Sequence, residues 1–194
     1  MMQFNRFLDI IQKVKELGYE FAIRHCANSA ATLLYPATYL DMVRPGIVLY
    51  GHFPDRTMDP GLCDLVPVLE LKSRVATVRT VPAGTPVSYG RTHTLQRDSR
   101  LAVIPIGYAD GLNRHLGNGR AYCLVNGQRA AYVGNICMDV CMIDVTDIDC
   151  KEGDAVEIFG DHLPITVLSD VLETIPYEVL TSVSTRVKRV YYQD

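Results

Sequence analysis

Asn126-Gly127 stands between two apolar runs, residues 121–125 and 130–144. A two-residue connection needs positive φ at both central positions to match the twist of the strands it joins, and Asn-Gly supplies this most readily. The two runs are therefore expected to pair as an antiparallel hairpin. Further runs at 66–81, 100–106 and 155–159 are separated by turn residues, and a stretch rich in Val, Thr and Tyr at 182–192 closes the chain. One helix is expected among these strands, with Thr166 as the cap of 167–173 and Pro176 as its stop. From residue 63 onward the pattern is that of a mainly antiparallel β-domain.

Upstream the period changes. Phe4, Phe7, Leu8, Ile11, Val14 and Leu17 recur at helical spacing before Gly18, which predicts one amphipathic helix. Phe21-Ala22-Ile23-Arg24-His25 reads as a buried strand, 29–34 as a short helix and Asp41-Met42-Val43-Arg44 as a second strand. Strand, helix, strand in that compass is a βαβ-type unit, at home in a parallel sheet or barrel covered by helices. Two such strands cannot close a barrel. The turn-rich stretch with Pro54, Asp55, Asp59, Pro60 and Gly61 reads as a linker, dividing the chain into 1–52, a linker at 53–62, and 63–194.

The 194 residues carry a formal charge of -3, with 48% hydrophobic and 21% charged residues, enough for a sizeable core. Without basic runs to neutralise phosphates, nucleic acid is not an expected partner. Arg186-Val187-Lys188-Arg189 reads as a solvated strand end. No apolar stretch reaches the length of a membrane span, and the N-terminus leads into an amphipathic segment rather than a signal peptide, so the cytoplasm is the expected compartment. The six cysteines form no Cys-x-x-Cys; Cys26, Cys123, Cys137 and Cys141 lie in apolar, strand-like contexts that suit buried free thiols, and no metal site is expected.

Glycine-marked stretches beside apolar runs are where rigid strands hand polar side chains to a pocket. Four stand out: Met42-Val43-Arg44-Pro45-Gly46, Val87-Ser88-Tyr89-Gly90, Gly107-Tyr108-Ala109-Asp110-Gly111 and Cys137-Met138-Asp139. Singly, each has an ordinary reading. Tyr89 could be a strand-end tyrosine, Arg44 a surface or salt-bridging group, Asn28 and Ser29 helix-cap residues, and Tyr177 a half-buried aromatic after a helix.

In this order and spacing, from about Phe4 to Arg189, these stretches resemble the C-terminal half of the pyridoxal-phosphate (PLP) dependent alanine racemases. The resemblance implies an α+β chain: a remnant of the last βα units of a TIM-type barrel, then the family's antiparallel β-domain. It implies a cytoplasmic isomerase that interconverts L- and D-alanine for cell-wall synthesis and works as a homodimer. Racemisation removes a proton from one face of the α-carbon and returns one to the other, so two groups must flank it. Tyr89 matches one of them, the tyrosine that the partner subunit supplies. Arg44 matches the arginine that faces the pyridine nitrogen of PLP; a guanidinium keeps its proton, so that nitrogen stays unprotonated. His25 matches the histidine that orients the arginine. Asn28, Ser29, the backbone at Gly46 and Ile47, and Tyr177 match the phosphate contacts. Tyr108, Arg114, Met138 and Asp139 match residues of substrate binding and access.

Two departures from the family's pattern stand in the chain. Asn135 takes the place where many relatives carry arginine, and Thr185 the place of a tyrosine before Arg186. None of Lys13, Lys15, Lys72, Lys151 and Lys188 lies in a stretch resembling the segment whose lysine binds the cofactor, so an incomplete enzyme, inactive alone, is expected. Serine racemisation on the same fold is an alternative, as is a truncated, non-catalytic module that dimerises or binds a partner.

Overall fold

The computed structural model describes residues 1–192, and these divide into two compact units, Met1–Val68 and the described residues from Leu69 onward. In the first unit, helix α1 spans Met2–Glu16, with Lys13 and Lys15 in its last turn, where cations complement the helix dipole. Its predicted apolar face is recognisable in Phe4, Phe7, Ile11 and Val14, which are half-buried, but no residue of the helix is fully buried. Helix α2, Ser29–Leu34, is short and capped by Asn28, whose Oδ1 accepts from the Ala31 N–H at 3.0 Å.

The two strands expected at Phe21–His25 and Asp41–Arg44 do not form. The segments do run side by side: the Asp41 N–H donates to the Arg24 carbonyl at 3.1 Å and the Arg44 N–H to the Ala27 carbonyl at 2.8 Å. Two bonds are not a ladder. Parallel strands are stabilised as interior members of a sheet, and here the Arg24 N–H is taken by the Asp41 carboxylate instead, at 2.8 Å.

The second unit is a curled antiparallel sheet. Its strands are β1 (Leu71–Arg74), β2 (Thr77–Val81), β3 (Pro86–Val87), β4 (His93–Thr94), β5 (Ser99–Ile104), β6 (Tyr122–Val125), β7 (Gln128–Val133), β8 (Cys141–Asp144) and β9 (Ala155–Phe159). Seven of them hydrogen-bond in the order β1-β9-β6-β7-β8-β5-β2, while β3 and β4 form a small separate ribbon. The two edge strands, β1 and β2, are consecutive in the chain, separated only by Val75 and Ala76. The Val75 N–H donates to Asp154 and the Ala76 N–H to Val103, at 2.9 and 2.8 Å, so the chain steps directly from one edge to the other. Edges that close together force the sheet to curl. Inside lie Tyr132, Phe159, Ile104, Ile143, Ile158 and Val156, all fully buried.

The Asn126-Gly127 turn is as expected: φ is +50° and +76°, and Val125 pairs with Gln128. Other boundaries move. The run 66–81 begins its strand only at Leu71 and breaks where the chain changes edges, and 130–144 is interrupted by a loop, 134–140. Helix α3 is Thr166–Val171, but Ile165 holds its cap position and Thr166 is its first helical residue. Pro176 opens helix α4, Pro176–Ser182, rather than stopping α3, because its fixed φ and missing N–H suit a first helical turn. The strand expected at 182–192 is absent: Ser182 ends α4, and Ser184–Val187 forms a turn closed by the Val187 N–H on the Ser184 carbonyl at 3.1 Å. All six cysteines are free; Cys123, Cys141 and Cys150 are buried. Burial pushes the Cys123 thiol up to about 12. Among the described residues no helix is long and apolar enough to cross a membrane, and no group of His, Cys, Asp and Glu could hold a metal ion.

Candidate active site

The candidate residues fall into two clusters, one in each unit. In the first, Ser29 is buried at the start of α2 and its Oγ accepts from the Gly46 N–H at 2.7 Å, which leaves the hydroxyl proton free to be donated. Ile47 is buried and opens a 3₁₀ turn, Ile47–Tyr50, whose first N–H groups have no acceptor within it. Asn28 is exposed beside Ser29. Arg44 is also exposed; its guanidinium donates to the Cys26 carbonyl at 3.5 Å, and among the described residues no carboxylate pairs with it. No hydrogen bond joins His25 to Arg44 among the described residues. The donor set is thus a hydroxyl, backbone N–H groups and a permanent cation, which suits a phosphate-like anion and, at Arg44, a further hydrogen-bond acceptor.

The second cluster is organised by the loop between β7 and β8. Tyr89 lies on the connection from β3 to β4, anchored from below by Val87, which packs with Leu95, Leu101 and Val133. The Tyr89 side chain is 76% exposed. Its backbone carbonyl accepts from Asn135 Nδ2 at 2.8 Å. On the other side of the loop, the Tyr108 N–H donates to the Cys137 carbonyl and the Ala109 N–H to the Met138 carbonyl, both at 3.0 Å. Tyr108, Met138 and Asp139 are thereby brought together. A third turn, Arg114–Leu116, carries Arg114 and is followed by Asn118, whose N–H donates to the Gly134 carbonyl at 2.7 Å. Tyr177 is half-buried in the first turn of α4, and α4 reaches the Tyr108 turn at its far end, where Ser182 Oγ donates to the Gly111 carbonyl at 3.2 Å.

Three residues that the sequence left without a functional role hold this cluster. Asp110 is 8% exposed and accepts from the Gly107 N–H at 2.8 Å. Arg186, read from sequence as part of a solvated strand end, donates from Nε to Asp110 at 2.9 Å and from Nη2 to Asp139 at 2.5 Å. Those partners, Asp139's hydrogen bond foremost, raise the guanidinium above its ordinary range. Asn135 is the third. Its signal was a single polar side chain in Val133-Gly134-Asn135-Ile136, where an apolar run implies burial and burial implies partners.

Residues 68–191 match the profile of the alanine racemase C-terminal domain, and residues 1–54 that of the alanine racemase N-terminal domain. The alanine racemase of Desulforamulus reducens is 47% identical over 191 residues, covering 97% of this chain and 51% of the relative. Alanine racemase from Bacillus anthracis with bound L-Ala-P superposes with a TM-score of 0.92 at 35% identity, covering 99% of this chain and 50% of that one. The Bartonella henselae enzyme, with covalently bound pyridoxal phosphate, gives 0.81 at 36% identity, covering 97% and 52%. The second unit is a C-terminal domain of the alanine racemase type, a curled antiparallel sheet. The chain belongs to the alanine racemase family. It spans about half the length of the curated relatives it matches.

Proposed function

We propose that this chain supplies the C-terminal half of an alanine racemase, with Tyr89 carrying a proton to or from one face of the substrate α-carbon. The observation that carries the reading is Tyr89 itself: an exposed phenol on a turn whose backbone is fixed by a buried amide, beside the Tyr108 and Met138 turns. Pyridoxal phosphate, when bound, supplies the electron sink that acidifies the α-carbon.

The first unit holds that group in this reading. Ser29, Asn28 and the backbone around Gly46 and Ile47 lie at its phosphate, with the Ile47 N–H as the backbone donor left free among the described residues and the Gly46 N–H holding Ser29 in place. Tyr177, in the second unit, keeps by resemblance the role of a further phosphate contact. Arg44 donates to the ring nitrogen, and because a guanidinium does not release its proton there, the nitrogen stays unprotonated. His25 lies one residue before the carbonyl that accepts from Arg44, and by the resemblance its role is to orient that arginine. Tyr108 and Arg114 line the approach, the Met138 backbone lies near the substrate carboxylate, and Asp139, paired with Arg186, supports that wall from behind. The active form is a homodimer in the cytoplasm, Tyr89 serving the site of the partner subunit. Residues 1–52 are the end of the barrel, 53–62 the linker and 63–194 the β-domain.

The test is to combine the chain with the complementary N-terminal half of the Desulforamulus reducens relative and PLP, and to follow alanine racemisation in both directions. Tyr89→Phe keeps the ring packing and removes the proton carrier, so turnover should fall by roughly 10²- to 10⁴-fold. Unchanged turnover removes the assignment. The chain alone with PLP should form no stoichiometric borohydride-reducible lysine adduct and show no turnover above free PLP.

A further inference from the structure

The turn that carries Tyr89 is strained. Ser88 has φ +68° and ψ 174°, a region taken almost only by glycine, and Arg91 has φ +50°. Such conformations persist where the surroundings over-determine them. Here the surroundings are Gly134 and Asn135. Ser88 Oγ donates to the Asn135 carbonyl at 2.7 Å. Asn135 Nδ2 donates to the Tyr89 carbonyl at 2.8 Å and to Thr92 Oγ1 at 3.2 Å, and Asn135 Oδ1 accepts from Asn118 Nδ2 at 3.0 Å. Gly134 leaves room for this: a methyl group there would stand 2.6 Å from Ser88 Cβ.

Asn135 is 8% exposed, and both ends of its side-chain amide are used. Arginine has no acceptor for Asn118 and aspartate has no donor for Tyr89; only a carboxamide serves both sides from one short side chain. We propose that Asn135 is a positioning residue for Tyr89: with Gly134 beneath Ser88, it clamps the strained turn and fixes the direction in which the phenol projects. The clamp rests on geometry alone, whereas its importance for racemisation rests on the proposed role of Tyr89.

The test uses the 194-residue chain, labelled for amide hydrogen exchange and tyrosine-ring NMR. Asn135→Asp keeps the side-chain shape and the acceptor for Asn118 but removes both donors. Exchange at Gly90 and Arg91 should quicken by about ten-fold and the Tyr89 ring resonance should move, while Ala130 and Tyr132 in β7 stay as they were. Thr92→Val removes one partner only and should quicken the same amides by about three-fold. Unchanged exchange and an unmoved Tyr89 resonance in Asn135→Asp overturn the proposal, as does equal quickening along β7. Should Asn135→Asp lose its folded spectrum, an unchanged turn in Thr92→Val overturns it. In the assembled enzyme, Asn135→Asp should lower kcat by about ten-fold with KM within about two-fold. A loosened turn with racemisation indifferent to Tyr89→Phe leaves the clamp standing and removes the proton-carrying role. Loss of activity in Tyr89→Phe with an unmoved turn in Asn135→Asp does the reverse.

Discussion

Gly107 lies so close beneath Met138 that a methyl group added to it would stand 2.3 Å from the Met138 carbonyl oxygen. The obstacle is backbone, which no side-chain rotation can relieve. Gly107→Ala should therefore prise the Tyr108 turn from the Met138 turn and lower stability by about 1–3 kcal/mol or more. Urea unfolding measures the loss, and a midpoint indistinguishable from that of the unaltered chain contradicts the close approach.

Arg186 joins those two turns through their carboxylates, and Asp110 is the buried one. Arg186→Leu leaves Asp110 with the Gly107 N–H as its remaining donor, which should cost about 1–3 kcal/mol. Adding Asp110→Asn removes the stranded charge, so the double variant should recover much of the loss. Strict additivity of the two changes in unfolding free energy shows that the residues do not act together.

Asp41 draws three hydrogen bonds from Arg24: the backbone N–H at 2.8 Å, Nε at 2.7 Å and Nη2 at 2.9 Å. The Arg24 side-chain bonds, then its backbone bond, lower the Asp41 carboxyl from 3.8 to about 2. A carboxyl depressed on folding stabilises the first unit above its unfolded value, and that support is lost as pH falls through about 2. The Asp41 carboxyl carbon, followed by NMR, should titrate near about 2, and Asp41→Asn should abolish the pH dependence of this contact. Titration at an ordinary aspartate value means the pair does not persist in solution.

Tyr132 fills the centre of the sheet with its hydroxyl buried, and among the described residues that oxygen has no hydrogen-bond partner; its neighbour is the Cys123 thiol, at best a weak one. Tyr132→Phe deletes an unsatisfied polar atom and little volume, so stability should stay level or rise by about 1 kcal/mol. Destabilisation by more than about 1 kcal/mol would reveal a partner for the hydroxyl.

What the sequence made legible was local. Asn126-Gly127 declares its turn through backbone chemistry confined to two residues, and α1 declares itself through spacing alone. The strands expected around Arg24 and Val43 failed because a strand depends on neighbours that its own residues do not encode. The C-terminal stretch at 182–192 failed for a similar reason: Arg186 is drawn into ion pairs with residues more than forty positions away, and among the described residues no strand pairs with this stretch. For the candidate site, the glycine-marked tyrosines were readable because their turns are short-range. Asn135 was noticed only as a departure from the family's pattern, since its partners at Ser88, Tyr89, Thr92 and Asn118 meet it only after β7 is laid into the sheet.

The loop between β7 and β8 has a consequence for how such a chain can change over generations. The turns bearing Tyr89 and Tyr108, and the residues just after the turn bearing Arg114, all take their bearings from six consecutive residues, 134–139. An insertion or deletion in that stretch re-aims three side chains at once, so it offers no gradual route to altered chemistry. Drift at the edges, in β1 or β2, leaves their mutual aim alone. Selection can therefore tune the rim of this sheet freely while the central loop is inherited as one indivisible piece.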